Sequence, residues 1–543
     1  MNSPSVGGYV PTRHISWLHT IFRASRDFVT SSNLAGLIGV IIALFLLLVP
    51  PVPWNIRLAL YLTILVWTIL RPRVALYLMP ICVPWGSLDF IDVKGLRLNS
   101  ADLLVIFLAI GWLMSFGLRQ KIGPRDREAS HIPPYLVIAM LTLVGTMVLS
   151  TTVALNISSS LKEISKWLEF VILILLGSQY LRTRRQVWTI VALICLAGIS
   201  QAFYSYIQAF FNLGPQSFIR DASLRVYGTF GQPNPYAGYI NIPLSIALAL
   251  TLLGRNWVTR LLAGLTAIIL GAAEYLSQSR GGEIAFVAAL IFIVLAGMPH
   301  IRVLMRVLIV LLLGILEALL AGWIPQSIFT PVMRFLGLIQ ISFVSPTAQD
   351  YSTAERLAHW IAGLHMFIDH PVLGVGIGNY ADAYPRYFIT IFTDPLGHAH
   401  NYYINIAAET GSIGLIAFAL FLFAAFAAGG HSLREIGKKL RQAKAQVSQD
   451  QPVIQAPLGR HNKLNLLLHP FSLIQYYRGQ GQFAIVGMLT NDRALAIGLL
   501  AALIAICTHN LVDDLFVHSV TNLLALLLIA LIRLDRVTPE VSD

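Results

Sequence analysis

The chain has 543 residues, and only 12% of them are charged, against roughly a quarter in an ordinary soluble domain. Hydrophobic residues make up 56% and the mean hydropathy is +0.70, so much of the surface must face lipid instead of water, which excludes a conventional soluble enzyme. The net charge of +12 would point to nucleic acid in a soluble protein; here it reports orientation first, because Lys and Arg are retained on the cytoplasmic side of a membrane.

Taken in order, the first 31 residues are basic (Arg13, Arg23, Arg26) and precede an apolar run at 34–49 that ends in Pro50, Pro51 and Pro53 without a small-residue cleavage pattern. That pattern predicts a first anchor and not a removed signal. A helix needs about 20 mostly apolar residues to cross the hydrocarbon. Hydropathy then places spans near 32–50, 55–70, 74–86, 101–118, 134–154, 163–181, 186–211, 235–253, 258–276, 282–298, 303–322, 402–428, 494–511 and 517–533. The expected fold is therefore all-α, a polytopic transmembrane helix bundle of 12–14 spans.

The chain divides into an N-terminal bundle over 1–322, an outer loop over 323–401, and C-terminal spans over 402–543 with a cytoplasmic loop at 429–493. With both termini inside, more than two thirds of the 38 Lys and Arg fall on the cytoplasmic side, as the positive-inside rule requires. The outer segment mixes apolar stretches with Pro, Gly and His and predicts short amphipathic helices on the membrane surface. The inside loop, Gln-rich and basic, has the composition of a segment near anionic headgroups. Cys82, Cys195 and Cys507 lie in apolar runs without paired spacing, so neither a disulfide framework nor a Cys-based metal site is implied. No Walker, Rossmann or HExxH pattern and no repeat of 20 to 50 residues is present.

Ionisable groups near outer helix ends carry the chemical information, because they are costly beside lipid and tend to face a cavity or a partner. Four clusters qualify. Arg220 and Asp221 precede Arg225 in the string RVYGTFGQPNPYAGY, whose Gly and Pro fix an irregular turn; a lone Arg there also snorkels to headgroups as a matter of course. Arg280 lies in the tight turn SRGGE, where glycines permit close backbone approach. Two arginines converging would offer forked donors that match phosphate oxygens.

The third cluster, His398-Ala399-His400-Asn401-Tyr402, places a histidine at the foot of a helix, where an ordinary pKa near 6.5 suits proton removal. The His398-x-His400 spacing also fits a metal, although Asp394 is weak support and no metal is expected. The fourth, His509 with Asp513 and Asp514, reads as solvated turn residues or as an acid that orients a histidine elsewhere, and the sequence does not say which groups approach one another.

His400-Asn401, nine residues, then Gly411-Ser412-Ile413-Gly414 resembles the HN-x9-GxxG signature of the O-antigen ligase and polymerase superfamily. Arg225 and Arg280 in their contexts resemble the family's two other signatures, in the same chain order. Glu355-Arg356 through His370-Pro371-Val372-Leu373-Gly374-Val375-Gly376-Ile377-Gly378-Asn379-Tyr380 is similar to the loop that precedes the histidine. The resemblance covers roughly 220–420 in detail.

It implies transfer of a glycan from a polyprenyl diphosphate carrier to an acceptor hydroxyl, lipid- or glycan-linked, at the outer face of a bacterial inner membrane, with no cofactor, metal or nucleic acid. On that resemblance Arg225 and Arg280, with Arg220 and Arg356, are expected to hold the diphosphate and His400 to act as base. His398, Asn401, Glu355 and Tyr402 would support it. A polymerase or a transferase acting on protein hydroxyls would use the same chemistry. An anion or inorganic-carbon transporter is the rival from another class; transport usually wants polar or broken helices near the midplane, whereas these groups gather at outer ends.

Overall fold

Helix starts follow from capping side chains. Asn156 accepts from the backbone N–H of Ser158 and Ser159, Thr183 and Gln186 form a capping box, Asn256 accepts from Val258 and Ser279 from Gly282. The computed structural model describes residues 53–88, 90–93, 96–119, 132–220, 223–298, 302–320, 342–346, 351–454, 470–517 and 519–537. The expected first anchor lies outside the described residues.

The helices, in chain order, are α1 (Trp54–Leu70), α2 (Arg73–Trp85), α3 (Ser100–Arg119), α4 (Pro134–Ser150), α5 (Ile157–Tyr180), α6 (Arg184–Phe211), α7 (Pro233–Leu253), α8 (Trp257–Ser277), α9 (Arg280–Gly297), α10 (Arg302–Leu320), α11 (Tyr351–Asp369), α12 (Tyr380–Ala383), α13 (Tyr402–Ile454), α14 (Pro470–His509) and α15 (Val520–Val537). The described residues also hold two antiparallel hairpins, Phe90–Val93 with Leu96–Asn99 and Ile219–Arg220 with Ser223–Leu224, and short 3-10 turns. The architecture is the all-α polytopic bundle that composition predicts: each expected span from 55 onward coincides with one helix. Among the described residues, seven helices are long and apolar enough to cross a membrane.

Within the segment 429–493, expected as a cytoplasmic connection, α13 runs on to Ile454 and α14 begins at Pro470. Hydropathy ends a span at the first charged turn, but a helix continues wherever it has a face to bury. Here Ile436, Leu440, Ala443 and Val447 are buried at alternating spacings of four and three, and Leu440 and Ala443 pack with Leu489, Ile485 and Val486, the seam of an antiparallel two-helix coil.

The centre of the bundle is formed by α7, the membrane part of α14, and α15, which is buried from Val520 to Asp535. Around them the polar contacts sort into two ends. At one end Arg73 Nε donates to Tyr180 O, Arg533 Nε to Leu181 O, Arg184 pairs with Asp492 at 2.8 Å, Arg255 N–H donates to Asn491 Oδ1, and Arg493 donates to Ala296 O. The opposite end collects the C-termini of α8 and α14 and the N-termini of α9, α13 and α15. From Asp492 to His509, α14 rises roughly 25 Å, close to the thickness of a hydrocarbon core.

Candidate functional site

The second end is where the ionisable groups meet. His400 is held at every backbone atom that can be held. Its N–H donates to His398 Nδ1 at 3.1 Å and its carbonyl accepts from Trp360 Nε1 at 3.1 Å. Its φ of 52° is in the left-handed region, uncommon for a residue with a Cβ. Asn401 then starts α13: its Oδ1 accepts from Tyr403 and Ile404 N–H, while its Nδ2 donates to Leu511 O at 2.8 Å. One side chain thus caps the helix and fastens it to the turn after α14, and Tyr402 N–H adds a bond to Asn510 O.

This fastening sets His400 Nδ1 3.3 Å from Asp513 Oδ1. Burial opposes ionisation of Asp513, but the hydrogen bond from His400 and the charges of His400, His398 and Arg356 hold its carboxyl well below the usual carboxylate range. The acid itself is kept in place by accepting from Asp514 N–H at 2.9 Å. With Nδ1 turned to a carboxylate, His400 presents Nε2 as the nitrogen with a free lone pair.

His398, His400 and Asp513 each have one ligand-capable atom within 4.8 Å of the others, a spacing that would admit a metal ion. His398 Nδ1 already accepts the His400 N–H, which puts its proton on Nε2 and leaves neither nitrogen a free lone pair. The donor set is better explained as a hydrogen-bonded group than as a ligand shell.

Helix α11 brings His359 against His400, and the charges of its Glu355 and Arg356 interact with His400 and Asp513. His359 is fully buried, stacks on Tyr384 at 4.5 Å and meets the His400 ring edge-on at 5.7 Å. Tyr380 OH donates to His359 O, so it receives the proton of His359 Nδ1. Burial first, then the charges of His400 and His398, bring the His359 ring down to about 4, and burial with the neighbouring His400 charge lowers His398 also. Burial raises the Glu355 carboxyl, partly offset by His400.

The glycine-rich string 370–380 is the clamp that positions α13. Gly411, at φ 65° and ψ −163°, breaks α13 after Thr410. Across that break Ser412 N–H donates to Pro371 O, Gly376 N–H to Glu409 O and Val375 N–H to Ala408 O. A Cβ on Gly374 would run into the Ala408 carbonyl and Glu409 backbone, and one on Gly411 into Val372. Two backbones therefore touch where only glycine fits. Asn379 fastens the loop to α5 by donating to Ser160 Oγ at 2.8 Å and accepting from Asn156 N–H at 2.5 Å.

Arg225 and Arg280 come from adjoining strands of chain. Arg225 Nε donates to Ser277 O and its Nη2 to Asn234 Oδ1, which also accepts from Ser279 Oγ at 3.1 Å. The Arg225 turn is fixed by Gln208, whose Oε1 accepts from Gly228 N–H and whose Nε2 donates to Gly228 O. Ser279 caps α9, so Arg280 is its first residue and stays exposed. The next residue, Gly281, abuts the turn after α14: a Cβ there would lie 2.7 Å from Val512 and 3.1 Å from His509 Nε2. Arg225, the Arg280 turn, the Asp513 turn and His400 are thus linked in one chain of contacts at one end of the bundle.

Other expected residues sort differently. The side chain of Arg220 lies outside the described residues; its backbone pairs with Ser223. The ring of Tyr402 is buried against Phe418 and Phe516, so it supports the site through its backbone. Asp513, left open by sequence, is the acid beside His400, and His359 and Asn234 were not singled out at all. Their partners at Tyr384, His400 and Ser279 come from other parts of the chain, so no local pattern marks them.

The bundle and its polar end define an all-α, multi-pass membrane protein with its ionisable groups gathered around one histidine. Residues 265–419 match the Wzy_C family model, described as O-antigen ligase, and this bears out the resemblance to the O-antigen ligase superfamily over a segment that includes Arg280, Arg356, His400 and Gly411. In general terms it makes the chain O-antigen ligase-like, a membrane glycosyltransferase in character. No curated protein matches the chain.

Proposed function

We propose that the protein transfers a glycan from a polyprenyl diphosphate carrier to an acceptor hydroxyl at the outer face of a bacterial inner membrane. The single observation that carries this reading is the His400–Asp513 pair at 3.3 Å, tied through the 509–513 turn to the first residues of α9. The acceptor O–H gives its proton to His400 Nε2 as its oxygen attacks the sugar C1. The bond from C1 to the diphosphate oxygen breaks and that oxygen leaves with the electron pair. Asp513 holds the imidazole in the tautomer that accepts and stabilises the imidazolium that forms.

Charge builds on the leaving diphosphate, so fixed cations that bind it more strongly as it departs lower the barrier. Arg225 and Arg280 have that role, joined by Arg356, whose charge acts on Asp513. Attack opposite the leaving group inverts the anomeric configuration. The end rich in Arg73, Arg184, Arg493 and Arg533 is assigned to the cytoplasm on the positive-inside rule, which puts the His400 end and the carrier headgroup on the same outer side.

The test is incubation of purified protein with a polyprenyl diphosphate-linked glycan, a lipid-linked acceptor and excess chelator. Product with inverted anomeric configuration supports the reading. Anion flux in vesicles with no product favours a transporter and overturns it.

A further inference from the structure

His509, the last residue of α14, is 1% exposed, and neither of its ring nitrogens has a hydrogen-bond partner. A neutral imidazole always carries one N–H, so a desolvated donor and a desolvated acceptor both stand unpaired, a costly arrangement that a hydrogen-bonding ligand would relieve. The ring is not far from chemistry. Its Nε2 lies 3.1 Å from the position a Cβ would take on Gly281, and its Cδ2 3.3 Å from it; Gly281 is the second residue of α9, directly after Arg280. The absence of a side chain at Gly281 is what lets the ring approach the first turn of this 18-residue helix.

That turn is itself suited to an anion. Ser279 Oγ takes the N–H of Gly282 and Ser279 O the N–H of Glu283, while the N–H groups at the very start of the helix carry the positive end of its dipole. Arg280 begins the helix and Arg225 adjoins it through Asn234. The turn that carries the acid facing His400 starts from the same residue: Val512 N–H and Asp513 N–H donate to His509 O at 2.9 and 3.1 Å, and the charges of Asp513 and Arg356 act on the His509 ring.

We propose that His509 is a further residue of the diphosphate site, donating Nε2–H to a phosphoryl oxygen held at the start of α9. The hydrogen bond satisfies a donor that the unliganded protein leaves unpaired. It also couples the leaving group to the Asp513 turn, so that the carrier headgroup and the base are set by one short stretch of chain, 509–513. No proton changes owner in this contact. The proposal rests on the reading that Arg225 and Arg280 receive the diphosphate.

The experiment measures binding of inorganic diphosphate to the purified full-length protein, with thermal unfolding recorded for every variant. His509→Leu and His509→Met, which lack a donor, are expected to weaken binding about tenfold, the size of one hydrogen bond to a charged group, while His509→Gln keeps a donor and most of the affinity. Wild-type affinity in both donorless variants overturns the proposal, as does equal loss in His509→Gln, which assigns the effect to packing. Arg280→Ala separates the two levels: if it too binds normally, the arginine site itself is wrong, whereas loss only in Arg280→Ala leaves that site standing without His509. Hydrogen exchange at imidazole C2 of the unsubstituted protein decides the matter even if no variant folds. Diphosphate slows that exchange at His509, and an unchanged rate overturns the proposal.

Discussion

Asp513 stands 3.3 Å from Nδ1 of His400, although 113 residues separate them in the chain. Two bonds from neighbouring residues make the meeting possible, Asn401 Nδ2 to Leu511 O and Tyr402 N–H to Asn510 O. The pair divides the work that a base requires, one residue accepting a proton and the other fixing which nitrogen is free to do so. Asp513→Asn preserves the shape but lets the amide turn either its N–H or its oxygen to Nδ1. Transfer is expected to fall by about a hundredfold or more with little change in the apparent KM for donor. An unchanged kcat removes Asp513 from the mechanism.

Acid should weaken the fold in two steps. The Asp513 carboxyl is depressed, so in the unfolded chain, with its carboxyl near 3.9, it binds a proton first as pH falls; its contribution is complete above about 4 and is lost below that. His359 acts in a higher window. Brought down to about 4 in the folded protein, it is neutral where the unfolded histidine, near 6.5, is charged, so stability falls as pH drops from about 6.5 to about 4. The thermal midpoint in detergent should decline across that window, and His359→Gln should flatten the decline. A slope unaffected by that substitution contradicts a neutral, buried His359.

Gly374 and Gly411 hold two backbones together at the break in α13, and both have positive φ. Gly411→Ala adds a methyl group against Val372 and forces a residue with a Cβ into a backbone region essentially reserved for glycine, costing roughly 1–3 kcal/mol before any clash is counted. A lower thermal midpoint and loss of transfer are expected together. Normal stability with normal transfer shows that the clamp is not needed to place His400.

How much of this was legible in the sequence depends on the range of the forces involved. Hydropathy located each described span because crossing lipid demands a long apolar run, and the fold class followed. It ended the flanking spans at the charged turns of 429–493, where Ile436, Leu440, Ala443 and Val447 are buried and let α13 run on through a charged segment. At the site, Arg225, Arg280 and His400 could be singled out by their local turns. Asp513 was visible only as an acid in a turn, His359 and Asn234 not at all, because their partners at His400, Tyr384 and Ser279 come from other parts of the chain. The string 374–378 was noticed for resemblance, and its physical reason, contact with the Ala408 and Glu409 backbone, emerged only from the fold.

The arginines should separate from the histidine in kinetics. Arg280→Lys keeps the charge but loses the fork that matches phosphate, so donor KM should rise and kcat fall in that variant, with acceptor KM unchanged. Comparable loss of acceptor affinity would place Arg280 on the acceptor side instead. Asn234→Ala, which removes the group shared by Arg225 and Ser279, should reproduce a milder form of the same donor defect.

The central claim is that one imidazole takes the acceptor's proton during transfer. The most direct measurement is single-turnover transfer from a polyprenyl diphosphate-linked glycan by the purified protein in lipid nanodiscs, comparing wild type with His400→Ala at equal amounts of folded protein. The account predicts product from the wild type and a loss of about a hundredfold or more in the variant, with donor still bound. Wild-type rates from His400→Ala would contradict it.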